Sequence, residues 1–451
     1  MPYGEGLRLP GESASKLGHL AVVQSEWVRT LIDDFESTVA PDGDPSNTAW
    51  QTFDPDGAAP LRSIWAVDGS FVSVRSGQKP HKEVAFVKTA LLMLDKAKLD
   101  AIDTDLPHPL LLRDALKDSG VQHATVFPLK NVRTSLGTNY DAVRHIVRDS
   151  IRVDQEGAFN ETMKWLAYRK WEPNSTANSP GFECPLCGQP ISGGLAHDRD
   201  AGSCPGCDGE VFLSDMWGLH MEMDEDSAPE SLASSYMLVM EHLMLFTAVR
   251  LMWHHTDRAL VSDTLFIKDG PLTLRSQYSK LVPNIRAFLQ YAKDQQRPVH
   301  IIGQEKSGAF FDHLGSIIRF AAPHARGEPM GYAPLTHAFV RREVYRSPDL
   351  SNPYGSRTNW GEKIYVKVDP GTYMVMNVPT GDYLDDPQRP LAQDLMGLSR
   401  ILATLPALVS HKFEGALYPV ELANGIASMS SYPSATILQR FLDNQRREQG
   451  G

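Results

Sequence analysis

The chain is short of positive charge, of cysteine and of long apolar runs, and each shortage excludes something. Its 44 Lys and Arg stand against 55 Asp and Glu, a net charge of −11 with His neutral. A surface of that sign does not attract a polyanion, so any nucleic-acid contact requires a local basic groove or a partner. Only four cysteines occur, and all fall in two Cys-x-x-Cys pairs, leaving none to cross-link the rest of the chain. No apolar run reads as long enough to span a bilayer, and the start, Met-Pro-Tyr-Gly-Glu-Gly, lacks the basic and apolar regions of a signal peptide. The expectation is a cytoplasmic protein without a membrane segment. There is no internal repeat and no low-complexity tract. What is present is ordinary globular composition, 42% hydrophobic and 22% charged, over a length that holds two or three domains or one large α/β domain with insertions.

Two apolar runs end in Asp-Gly: Ile64-Trp-Ala-Val-Asp68-Gly69-Ser70 and Leu265-Phe-Ile-Lys-Asp269-Gly270-Pro271-Leu272. Each reads as a buried strand, and a carboxylate at the end of a buried strand is costly to desolvate unless it is paired or holds a cation. Ordinary Asp-Gly turns are the alternative. Glu241 adds a third carboxylate, in a helical stretch from about Ser231 to His255 where its neighbours at helical spacing are Met237, Leu238, Met244, Leu245 and Ala248. Buried carboxylates are rare unless paired or metal-bound, so Glu241 predicts either a metal ligand or an ion pair with Arg250 or a more distant Arg. Glu156 and Glu161, on another helical region from Asn139 to Trp171, are rival candidates for the third acid. An all-oxygen set of Asp68, Glu241 and Asp269 suits Mg²⁺ or Mn²⁺.

Cys184-Pro-Leu-Cys187 and Cys204-Pro-Gly-Cys207 each place two thiolates on one tight turn, and two such turns supply a closed tetrahedral site for structural Zn²⁺. A pair of disulfides is the rival reading, which a reducing cytoplasm disfavours. His197 and His220 are not needed as ligands. The cysteine module, roughly 176–225, reads as an insertion between linker-like flanks, dividing a core of 56–175 and 226–451, with 1–55 as an N-terminal helical segment. Leu17, Leu20, Val23, Trp27 and Leu31 give that segment an amphipathic pattern. Residues 40–60 read as loop. Strands are expected at the Asp68 run, at 70–74, at 83–94 with a turn toward helix, at the Asp269 run, and at 298–303, 364–368 and 372–378. Helices are expected around 279–294, 391–405 and 434–447, an α/β alternation.

At these residues the chain resembles the NurA family of prokaryotic DNA-end-processing nucleases. The resemblance rests on Asp68-Gly69-Ser70, Glu241, Asp269-Gly-Pro-Leu272, the strand ending Gly303-Gln-Glu-Lys306-Ser307, and Tyr418-Pro419, and it covers about residues 60 to 430. Some bacterial members carry a Cys₄ knuckle followed by a segment similar to Val211 to His220. The resemblance implies an RNase H-like mixed sheet, with Asp68 and Asp269 approaching at the sheet and Glu241 projecting from a covering helix. It implies metal-dependent hydrolysis of DNA ends, in end resection or anti-phage defence, by a homodimer docked on a hexameric HerA/FtsK-type ATPase. In that reading Lys306 supplies positive charge to the phosphate, and Tyr418 hydrogen-bonds DNA or metal water; a solvated Lys and a packed Tyr are the plain alternatives. The N-terminal helix, with Val22, Trp27 and Leu31, would contact the ATPase. One departure stands out: the family's Ala-His after the Tyr-Pro element is missing, Ala423 being followed by Asn424, and His411 and His337 are the candidates to replace it. A catalytically silent NurA-like adaptor and an RNase acting on RNA–DNA hybrids are the competing readings.

Overall fold

A computed structural model describes residues 22, 24–37, 48–77, 79–95, 120–223, 229–318, 330–346, 353–369, 371–410, 415–429 and 434–449. Leu17, Leu20, Val23 and His411, and much of the acidic stretch after the cysteine module, lie outside them. The chain divides into two compact units, Met1–Asn47 and Thr48–Gly451. In the first, α1 (Glu26–Ser37) leaves Trp27 and Ile32 exposed.

The second unit is built on a nine-stranded mixed sheet. Its strands are β1 (Gln51–Thr52), β2 (Ser63–Arg75), β3 (Glu83–Asp95), β4 (Gly120–Lys130), β9 (Thr264–Asp269), β10 (His300–Glu305), β11 (Gly331–Pro334), β12 (Glu362–Asp369) and β13 (Thr372–Val378). Two small hairpins, β5 (Phe182–Glu183) with β6 (Pro190–Ile191) and β7 (Ala201–Ser203) with β8 (Glu210–Phe212), stand apart. The order across the large sheet is β1-β11-β12-β13-β10-β9-β2-β3-β4. Strands β2, β3 and β4 form an antiparallel meander, and β9 and β10 then add in parallel to β2.

Helices cover both faces. The main ones are α2 (Asn139–Val153), α3 (Ala158–Ala167), α4 (Ser231–Trp253), α5 (Val282–Asp294), α6 (Ala309–Ile318), α7 (Leu398–Thr404), α8 (Tyr418–Ala427) and α9 (Ser434–Gln449). Val67, Phe266 and Ile301 face the core beneath α4 and α5, whereas Ile64, Ala66, Ile267 and Ile302 face the core beneath α7 and α8. That period-two alternation is what a sheet buried on both sides demands.

Several expectations need correction. Residues 70–74 do not begin a new strand: β2 runs unbroken through Asp68-Gly69, and β3 stays extended to Asp95 because every residue from 83 to 95 has a partner on β2. The 40–60 loop contains β1, held by β11. The helix expected over 391–405 is broken: Gly397 at positive φ starts α7, and Pro406 ends its continuation in a short 3₁₀ turn. Strand β4 was not anticipated at all. Among the described residues one helix, α4, is long and apolar enough to cross a membrane, contrary to the reading that no run is; 83% of its apolar window is buried inside the protein. Its apolar character runs round the whole helix because it packs between β2, β3 and α3 rather than on the surface.

Candidate metal centres

Parallel pairing of β2 with β9 ends at Val67 opposite Lys268. One residue later β9 stops at Asp269, where Gly270 turns the chain at φ 78° and donates its N–H to Gln304 O at 2.7 Å. Strand β2 continues to Arg75, so Asp68 is not at a strand end; it sits mid-strand opposite Ala90, just beyond the point where its other neighbour runs out. The first Asp-Gly is therefore no turn. Gly69 serves a close approach instead: a Cβ there would lie 2.5 Å from Met237 Cγ and 3.0 Å from Glu241 Oε1 of α4. The second Asp-Gly is the strand-end turn its sequence suggests.

The notch at the end of β9 gathers charge. Glu241 is buried and its Oε2 lies 2.7 Å from Lys268 Nζ, itself buried. Lys306, just past β10, places Nζ 2.8 Å from Asp269 Oδ1, both half-buried. Asp68 accepts the Gly69 N–H at 2.7 Å through Oδ1, while its buried Oδ2 has no partner among the described residues. Burial, then the charges of Asp269 and Glu241, push the Asp68 carboxyl up to about 8. Burial also raises Glu241, with Lys268 opposing it. Lysine thus answers two of the three acids, and Asp68 is left to hold a proton or a cation.

The ion-pair alternative for Glu241 is present, but with Lys268 rather than Arg250, whose guanidinium donates to Thr162 and Ala158 instead. Glu156 and Glu161 are exposed, and Glu161 pairs with Lys164 and Lys170. Tyr418 opens α8, which crosses β2, β3 and β9. Its segment is tied to the site by Gln304, the β10 residue opposite Asp269, which donates to Gly415 O and accepts the Leu417 N–H. The Tyr418 hydroxyl is buried without a partner among the described residues, and burial and Glu421 raise its pKa. His337 is held by Glu362 at 2.9 Å.

Sequence reasoning missed Lys268 and Gln304. For Lys268 a signal existed: a lone Lys inside Leu265-Phe-Ile-Lys268 is as anomalous as a lone Glu in an apolar helix, and two anomalies of opposite sign predict each other.

The residues fit a hard divalent cation in donor type and in the orphaned Asp68 oxygen. They do not form one tight cage. Among the described residues, only the four cysteines bring three or more ligand atoms within 4.8 Å of one another.

The cysteines form two matching turns. In each, the first Cys carbonyl accepts an N–H four residues on, Gly188 or Asp208. Its Sγ accepts another from Leu186 or Gly206. Sγ–Sγ separations are 3.8 Å for Cys184–Cys207 and 3.7 Å for Cys187–Cys204. A tetrahedron with Zn–S bonds of about 2.3 Å has edges of about 3.8 Å, whereas a disulfide requires about 2.05 Å. The four thiols are therefore clustered as a group that could hold a metal ion, and their spacing matches Zn²⁺ rather than disulfides. It is not self-contained: Phe182, Ile191, Leu195 and Val211 join the main core. Arg144 of α2 clamps Asp215 through two bonds of 3.0 and 2.8 Å, both side chains buried.

No family model matches the chain, and no curated protein matches it.

Proposed function

We propose that this protein is a divalent-metal-dependent deoxyribonuclease of NurA type with an RNase H-like core, acting on DNA ends with a hexameric HerA/FtsK-type ATPase. The observation that carries the reading is Asp68: a buried carboxylate with one oxygen unpartnered among the described residues, lying mid-strand beside Asp269 and Glu241 where the neighbouring parallel strand β9 ends. The meander β2-β3-β4 followed by parallel β9 and β10 supports the RNase H-like reading, since it brings Asp68 of an early strand beside Asp269 of a later one, as the resemblance implies. Asp68, Asp269 and Glu241 would hold Mn²⁺ or Mg²⁺, which when bound supplies Lewis-acid activation of water and of the phosphate.

The chain's own groups do the rest. Lys306, 30% exposed, can move from Asp269 to a phosphate oxygen and offset its charge. Lys268, buried against Glu241, orients that carboxylate instead. Gln304 holds the Tyr418 segment against the strand next to Asp269. A structural Zn²⁺ on Cys184, Cys187, Cys204 and Cys207 would brace the module that Arg144 and Asp215 lock to α2. The acidic surface supports dependence on a partner for DNA delivery, and exposed Trp27 of α1 supports that helix as the contact.

A second reading has its own observation. Both Glu241 and Asp269 already have lysine partners, a charge balance that suits a catalytically silent adaptor retaining the fold to recruit the ATPase. The deciding experiment is digestion of end-labelled linear DNA with Mn²⁺, with and without the neighbouring ATPase, by wild type, Asp68→Ala and Asp269→Ala. Cleavage lost in both variants supports the nuclease; wild type inert with the ATPase present, or no better than the variants, supports the adaptor.

A further inference from the structure

Beyond Asp269 the chain changes sign. Residues 270–293 carry four Lys and Arg and no carboxylate, and residues 353–361 carry Arg357 and no carboxylate, in a chain whose net charge is −11. The structure joins these two stretches. The Trp360 N–H donates to Leu272 O and the Leu274 N–H to Thr358 O, both at 3.0 Å, with Thr273 and Asn359 bridged antiparallel and the Thr273 hydroxyl donating to Asn359 Oδ1 at 2.9 Å. The result is a short tongue that leaves the end of β9. Arg275 lies on it six residues past Asp269, at most about 22 Å away. Arg357 donates to Ser276 Oγ at 3.3 Å, which brings its guanidinium to the residue next to Arg275. Both arginines are exposed. Among the described residues neither has an ion pair.

A buried arginine shapes the second half of the tongue. Arg286 of α5, 9% exposed, donates to the carbonyls of Ser356 at 2.7 Å, of Gly355 at 3.1 Å and of Asn359. The Gly355 carbonyl also accepts the Thr358 and Asn359 N–H groups. Three carbonyls are thus committed to one inward guanidinium, while the Ser356 and Arg357 N–H groups have no partner among the described residues. The tongue offers donors and positive charge with few free acceptors, which suits a phosphate and not a cation. Two like charges held so near repel each other until an anion joins them. Glu362, the next acid along the chain, is taken by His337 at 2.9 Å.

We propose that Arg275 and Arg357 hold the phosphodiester backbone of a DNA strand that runs to the carboxylate notch, where Lys306 stands beside Asp269. Contacts of this kind fix the path of the strand without reading its sequence. The inference rests on the nuclease reading for its ligand, but its test reads binding and not cleavage, so the two can fail separately.

The test is fluorescence anisotropy of a labelled oligo(dT) single strand and of a mixed-sequence duplex, titrated with the full chain without added divalent cation, from about 50 to 200 mM salt. The double variant Arg275→Ala, Arg357→Ala should bind at least about tenfold more weakly at the lowest salt, with its melting temperature unchanged. Its slope of log K against log salt should fall by about 1.4 on the single strand or about 1.8 on the duplex, as expected for two lost phosphate contacts. The larger loss identifies which form the tongue holds. Arg258→Glu, an exposed residue at the opposite end of β9, changes the net charge by the same two units and should leave affinity and slope as in wild type. No saturable binding by wild type, an undiminished slope in the double variant, or an equal loss in Arg258→Glu overturns the proposal. Cleavage by a protein whose binding ignores both arginines would remove the tongue and keep the nuclease, and arginine-dependent binding without cleavage would do the reverse.

Discussion

Lys268 of β9 and Glu241 of α4 form an ion pair of 2.7 Å between side chains that are 2% and 6% exposed. The pair pins the central helix to the central strand at the level where Asp68 and Asp269 meet. Taking both charges out of water costs about what their attraction returns, so the pair orients more than it stabilises. Removing one partner is a different matter. Lys268→Met leaves Glu241 buried and unpaired, and should lower unfolding free energy by about 3–5 kcal/mol. The double variant Lys268→Met, Glu241→Met should recover most of that loss. Urea unfolding of the single and double variants checks both, and a double variant as weak as the single would contradict the assignment.

The pH profile carries a signature of Asp68. Its carboxyl is raised from 3.8 to about 8, first by burial and then by Asp269 and Glu241. Across that window the folded chain holds a proton that the unfolded chain has released, so this group's contribution is complete below about pH 4 and is lost as pH rises through about 8. Three buried histidines act in the opposite sense. Burial depresses His242 to about 3 and His220 and His300 to about 4. Their contribution is present above the ordinary value of 6.5 and lost as pH falls toward those depressed values. The clean readout is thus the alkaline arm: the urea midpoint of wild type should fall between about pH 6.5 and 8.5, and Asp68→Asn should flatten that fall.

How much of this was legible in sequence depends on whether a residue's role was local. The two cysteine turns could be read because each knuckle closes within five residues. Strands β9, β10, β12 and β13 could be read because apolar runs bounded by Gly, Pro or Asp have few other uses. Asp68 was legible as a buried carboxylate but placed wrongly along its strand, since nothing local tells an Asp-Gly that ends a strand from one whose Gly makes room for a helix. That distinction lies in Met237 and Glu241, about 170 residues away. Gln304 was illegible for the same reason: its two partners, Gly415 and Leu417, come from a distant loop.

The cysteine cluster makes a prediction independent of catalysis. Purified protein should carry one Zn²⁺ per chain by elemental analysis, and Cys187→Ser or Cys207→Ser should abolish it. Because Phe182, Ile191, Leu195 and Val211 share the main core, metal loss should lower the melting temperature of the whole unit rather than fray a separate domain. Arg144→Ala should reproduce that destabilisation, by about 3–5 kcal/mol, with zinc retained, because it leaves buried Asp215 unpaired. Full stability after zinc extraction would refute the structural role.

Gly69 offers the sharpest link between fold and site. An added methyl there would stand 2.5 Å from Met237 Cγ and 3.0 Å from Glu241 Oε1. The Met237 side chain can swing aside, but Glu241 Oε1 must give by a few tenths of an ångström while its other oxygen is held by Lys268. Gly69→Ala should therefore cost about 1–3 kcal/mol through overpacking and displace Glu241 from Asp68. If the carboxylates act together, it should also depress Mn²⁺-dependent DNA cleavage more than its stability loss accounts for. Combining it with Met237→Ala separates the two effects: the shortened side chain relieves the 2.5 Å contact and recovers stability, while the approach to Glu241 remains. Restored folding with cleavage still impaired would assign Gly69 the spacing of the acidic site, whereas restoration of both would make Met237 the whole of the constraint.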